Sequence, residues 1–136
     1  LLPSLFPFMV SIYYSPQTCN RANRAVACAP FRLALFQTLQ NQSVNLKTIV
    51  TATQNRRDPH PYLRRSLPEI LVENQLLWLI QVGLLRREVD GQGITDSFRL
   101  TPLGHRLLQQ WISQGDVPRA TLLDRFYNAL SQWLGV

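Results

Sequence analysis

The chain is short of lysine, methionine and cysteine and, over its first half, of acid. Lys47 is the only lysine, so 13 of the 14 basic residues are arginine. Arginine is the residue suited to forked contacts with phosphate or carboxylate. Net charge is +6, and it is unevenly placed. Residues 1–65 carry eight basic residues against Asp58 alone, whereas residues 66–136 carry six arginines against seven acids. An anionic partner would therefore meet the first half; the alternative is a solvated basic surface with no such partner. Cys19 and Cys28 are the only cysteines. On one helix their nine-residue spacing separates them by about 13 Å along the axis, too far for a disulfide. Reduced thiols imply a cytoplasmic protein. A zinc site built from Cys19, Cys28, His60 and His105 lacks any C-x-x-C-type spacing, so no metal is expected. Glycine-rich phosphate loops, H-E-x-x-H and G-x-S-x-G are all absent from the sequence, so neither a cofactor nor an enzymatic activity is expected.

Long apolar runs are lacking too. The stretch LLPSLFPFMVSIYY, residues 1–14, has no basic start and is interrupted by Pro3 and Pro7. It is too short to cross a bilayer as a helix, and no membrane role is expected. Met9 is the only methionine, which suggests a natural start there, with a signal peptide as the rival reading. Residues 1–14 read as an apolar tail and residues 15–136 as one domain.

What is present is helical punctuation. Ser15-Pro16 predicts a helix start, running to about Ala29. Pro30 opens a second helix to about Gln40. Val44 reads as a strand stub, and Asn45 caps a short helix from Leu46 to about Thr53. QNRRDPHPYLRRS, residues 54–66, reads as a basic loop because Pro59 and Pro61 forbid regular helix. Ser66 and Glu69 have capping-box spacing ahead of a helix reaching Val82, stopped by Gly83. Leu84–Val89 and Ser97–Leu100 read as a hairpin around DGQG. Thr101-Pro102 starts the next helix, to about Ser113. A last helix, 118–134, carries Leu122, Phe126, Ala129, Leu130 and Trp133 along one stripe.

The stretch GLLRREV…FRLTPLGHRLL resembles the back half of winged helix-turn-helix domains. In those a glycine ends the recognition helix, a two-stranded wing follows, and a Leu-Thr-x-x-Gly step opens the next helix. Gly83, Leu100, Thr101 and Gly104 stand in those places, and Leu76 and Leu79 match the helix's core positions. The resemblance covers about residues 30–113 and is nearest to PadR-like and MarR-like regulators. The whole chain also resembles a family of small uncharacterised cyanobacterial proteins. The expected fold is mainly α with a small β-hairpin wing: a winged helix-turn-helix with extra N- and C-terminal helices.

The resemblance implies a transcriptional regulator that binds double-stranded DNA and forms a homodimer through helix 118–134. Arg56, Arg57, Arg64 and Arg65 cluster in the loop before the recognition helix, and Asn74 and Gln75 are that helix's groove-reading side chains. The helix itself departs from the pattern. Residues 69–82 hold Glu69 and Glu73 and no basic residue, and too many apolar residues for one stripe. Leu77 and Trp78 should therefore meet something beyond the three-helix core. The competing expectation is a winged-helix protein-interaction module without DNA binding. Its surface would comprise Leu77, Trp78, Leu122, Phe126, Leu130 and Trp133.

Overall fold

The computed structural model describes residues 14–52 and 59–135. Ser15 starts α1 (Pro16–Cys28): its Oγ accepts from the Thr18 amide at 3.1 Å, and Pro16 fills the first turn. Small residues, Ala22, Ala25, Val26 and Ala27, form its buried side. Pro30 ends the helical run. The chain does not re-enter helix there, as the sequence suggested, but first forms a short extended segment. Phe31 bridges Leu63, with Arg32 N donating to Tyr62 O at 2.9 Å and Arg64 N to Pro30 O at 2.8 Å. Only then does α2 begin (Leu33–Asn41). The stub is two residues, β1 (Val44–Asn45), and Asn45 caps α3 (Leu46–Thr51) by accepting from Thr48 N at 2.7 Å.

The capping box expected from Ser66 does not form. Helix α4 spans Glu69–Gln81, and its cap position is Pro68, whose extended backbone offers no side-chain acceptor. Leu67 precedes a proline and is biased away from helix, which leaves Ser66 outside the first turn. The C-terminal end is as expected: Gly83 adopts φ 90°, a left-handed turn into the hairpin.

The hairpin comprises β2 (Leu85–Asp90) and β3 (Gly93–Leu100), longer on the return side than the sequence suggested. Asp90 pairs with Gly93 across a two-residue turn, and Leu85 with Leu100 at the base. β1 adds to the other edge of β3, with Val44 opposite Phe98, so the antiparallel sheet has the order β1–β3–β2. Helix α5 (Pro102–Gln114) leaves the sheet through Thr101, whose hydroxyl accepts from Gly104 N at 3.1 Å and donates back to the Gly83 carbonyl. Helix α6 starts at Leu122, not at Pro118, and ends at Leu134. Thr121 and Asp124 form a reciprocal capping box, two bonds of 3.1 Å each, which decides the start.

The described residues thus form six helices and one small antiparallel sheet. Their core runs from α1 to the start of the α5–α6 connection. It centres on Phe36 and Trp111, with ring centroids 5.3 Å apart, and on Phe31, Leu76, Leu79 and Phe98.

Gly104 marks the tightest approach. A Cβ there would lie 2.5 Å from the Leu84 carbonyl oxygen and 2.8 Å from Leu100 Cδ2. That carbonyl already accepts from Thr101 N at 3.0 Å, so moving it disturbs the whole exit from the hairpin. Gly104→Ala should cost about 1–3 kcal/mol of unfolding free energy in urea, as overpacked cores do. A variant as stable as the parent would mean that α5 does not sit this close to β2.

Candidate interaction surface

Helix α6 lies on the body with its polar side inward. At about 100° per residue, Asp124, Asn128, Ser131 and Gln132 share one side. Leu122, Leu123, Phe126, Tyr127, Leu130, Trp133 and Leu134 share the other. Asn128 is buried, and its three neighbours on that side are half-buried. Every apolar residue of the opposite side is exposed, with Leu122 at 86% and Trp133 at 83%. The usual orientation of an amphipathic helix is reversed.

The reversal has a local cause. Trp78 on α4 is buried, and its indole N–H must find an acceptor. Asn128 Oδ1 supplies it at 2.9 Å. One turn further along α4, Gln81 Nε2 donates to Gly135 O at 2.9 Å, just past the end of α6. From α1, the Arg21 guanidinium sits over the Trp78 ring at 5.3 Å and that of Arg24 over Tyr127 at 5.5 Å. The Thr121 backbone and side chain hold the Asp124 carboxylate below its ordinary range by hydrogen bonding. Because the folded value is the lower one, the cap contributes fully above the ordinary carboxylate range. Its contribution is lost as pH falls through the folded value. Helix α6 is therefore firmly capped at neutral pH.

Ile70, Asn74, Leu77 and Gln81 follow one stripe of α4 at i, i+4, i+7 and i+11. Ile70, Leu71 and Leu77 are exposed on this helix. The Gln81–Gly135 bond ties that stripe to the C-terminal end of α6, so the two apolar surfaces adjoin.

Of the residues the sequence singled out, Leu122, Phe126, Leu130 and Trp133 are exposed on one face of α6, and Leu77 is exposed on α4. Trp78 does not: it is closed off among α1, α4 and α6. Asn74 is exposed and Gln75 is half-buried on α4. Arg64 and Arg65 are exposed, while Arg56 and Arg57 lie outside the described residues. His60 fastens this loop. Its Nδ1 accepts from the Tyr62 and Leu63 amides at 3.0 and 3.1 Å, which leaves Nε2–H to donate to Val50 O at 2.9 Å.

The sequence reading missed Asn128, Gln81 and Arg21. Asn128 is a lone asparagine in an apolar helix, a signal that marks a buried partner only once the partner is known. No three His, Cys, Asp or Glu side chains converge as metal ligands among the described residues. Cys19 and Cys28 are unpaired, and burial raises the Cys28 thiol above its ordinary value against a smaller opposing pull from Arg125. No described helix is long and apolar enough to cross a membrane.

Asn128→Ala should strand the Trp78 N–H and cost about 1–3 kcal/mol in chemical denaturation. In the Trp78→Phe background, which lacks that N–H, the same substitution should cost markedly less. Equal costs in both backgrounds would deny the coupling.

No curated protein and no solved structure matches the chain. Of the two sequence resemblances, the whole-chain one is met by a family. The chain belongs to the Npun_F0494-like family, whose model matches residues 12–132.

Proposed function

We propose that the chain is a winged-helix protein-docking module whose working surface is the apolar face of α6 with the adjoining stripe of α4. The order α2, β1, α3, α4, β2, β3 and the sheet order β1–β3–β2 support the winged-helix part of this reading. The docking part rests on one observation: a helix that turns its polar side to its own domain and its apolar side outward. Exposed apolar surface of this extent marks an interaction site. Helix α4 fits docking better than groove reading. Its exposed residues are Glu69, Ile70, Leu71, Asn74, Leu77 and Gln81, and Glu73 is committed to Arg87 at 3.9 Å. Phosphate repels such a surface. Two unpaired cysteines fit a cytoplasmic setting.

A photo-crosslinking residue at Phe126 should yield one discrete protein adduct, whereas the same residue at Gln109, exposed on α5, should yield none. No adduct at Phe126, or equal adducts at both positions, would remove the docking reading.

A second reading, binding to double-stranded DNA by a transcriptional regulator, has a separate observation behind it. Arg64, Arg65 and Lys47 are exposed, and no acid lies among the described residues up to Arg65. Replacing Arg56, Arg57, Arg64 and Arg65 with alanine should then flatten the slope of log affinity against log salt by roughly 3 to 4. Equal affinity of parent and quadruple variant at low salt would end this reading.

A further inference from the structure

We infer that the occupant of the α6 face is an amphipathic helix of another protein, its apolar stripe flanked at one end by aspartate or glutamate. The inference rests on the docking reading and names its partner. Area is the first argument. At roughly 150–250 Å² per large side chain, the exposures of the apolar residues on α6 leave on the order of 800 Å² of this helix face in water. A monomer's largest apolar patch is usually about 300–600 Å², whereas each side of a standard interface buries about 800 Å². The face has the extent of one side of a specific complex.

Shape is the second argument. A helix bonds its backbone groups along itself, so α6 offers side chains and no free strand edge. An added strand has nothing to pair with there. A second helix does, because Leu122, Phe126, Leu130 and Trp133 recur at i, i+4, i+8 and i+11, a ridge that a facing helix can pack against. From Leu122 to Leu134 the stripe is about 18 Å long at 1.5 Å per residue, so roughly 12 helical residues cover it.

Charge is the third. Arg24, Arg119 and Arg125 gather at the start of α6. Arg24 lies over Tyr127, a residue of the apolar face, and shares with Arg119 and Asp124 the cleft between α1 and α6. Arg119 and Arg125 are exposed. Among the described residues none of the three belongs to an ion pair. The nearby acids are turned to other tasks. Asp124 accepts from the Thr121 amide and Asp116 from the Val117 amide, while Glu73 on α4 is paired with Arg87. Glu69 is exposed, about 14 Å along α4 from Trp78, where that helix meets α6. From Phe126 to Val136 the sequence holds no charged side chain. The surface is thus cationic at one end and neutral along the rest, and the helix dipole of α6 adds positive character to the same end.

Carboxylates beside one end of an apolar stripe match that pattern. A second copy of this chain does not. Laid antiparallel, it sets each arginine cluster against a charge-free end, and laid parallel it sets the two clusters against each other. A phospholipid surface is met through cations along a helix, and α6 holds none after Arg125.

Fluorescence anisotropy on the full chain in low-salt buffer tests this with two labelled synthetic peptides. Both are amphipathic helices of about 18 residues with leucine at i, i+3, i+4 and i+7. One carries glutamates beside one end of the leucine stripe, and the other carries lysines in the same places. The expected result is that the glutamate peptide binds at least tenfold more tightly. That preference should be lost in the double variant Arg119→Glu, Arg125→Glu, folded by circular dichroism. The wild-type comparison stands even if the variant fails to fold. Equal or tighter binding of the lysine peptide overturns the inference. So does a glutamate peptide that stays unbound up to about 100 µM, or a preference that the folded variant keeps. Flotation of the chain with phosphatidylglycerol vesicles would overturn it in favour of a lipid surface. The Phe126 crosslink separates the two failures. An adduct of twice the chain's mass overturns the inference in favour of a second copy and leaves the docking reading standing. A discrete adduct with another protein, when the glutamate peptide does not bind, likewise leaves only the docking reading. No adduct removes both.

Discussion

A buried indole must have its N–H accepted, and at Trp78 that requirement sets the rotation of α6. Asn128 is the acceptor, at 2.9 Å, and it can reach Trp78 only if the side of α6 that bears Asp124, Ser131 and Gln132 turns inward. The magnitudes show that this bond does not act alone. A hydrogen bond of this kind contributes about 1 kcal/mol. Apolar area on the order of 800 Å², at roughly 25 cal/mol per Å², represents on the order of 20 kcal/mol when buried, less for a realistic unfolded chain. A single bond orients the helix but does not offset such exposure. The exposure persists because α1 presents Asn20, Asn23, Arg24 and Ala27 towards the start of α6, a surface with little apolar area to give.

The same economy of partners governs the arginines. Formal charge suggests a strongly basic protein, yet many of its cations have structural tasks. Arg21 and Arg24 lie over Trp78 and Tyr127, and Arg32 Nε donates to Leu63 O at 3.1 Å. Arg87 lies over Phe98 at 5.2 Å and faces Glu73, and Arg99 faces Glu88 at 3.4 Å. Stacked or paired guanidinium groups contribute less to an outward field than the net charge implies. Arg64 and Arg65 remain in water on a loop that His60 holds against α3.

Local chemistry was legible in the sequence and distant chemistry was not. Ser15, Asn45 and Thr101 cap their helices as read, because a cap needs only a side chain and an amide three residues on. Ser66 misled for an equally local reason, the proline that holds the chain extended before α4. The Thr121–Asp124 box was readable, but Pro118 drew the helix start four residues too early. The seam of Leu122, Phe126, Leu130 and Trp133 follows from periodicity alone. Its direction does not, because the deciding bond joins residues 50 apart in sequence. The Phe31–Leu63 bridge that delays α2 is likewise non-local.

The two surfaces of α4 and α6 constrain one another. The stripe of α4 that a duplex would meet, Ile70 to Gln81, is tied at its end to Gly135, which follows the exposed Trp133 and Leu134 in the chain. A nucleic acid lying along α4 would press two large apolar side chains against phosphate, at a desolvation cost and without a cation nearby on that helix. Covering Trp133 and Leu134 first removes that conflict. A polyanion held by the exposed Arg64–Arg65 segment avoids that conflict, whereas one seated on α4 with α6 uncovered does not.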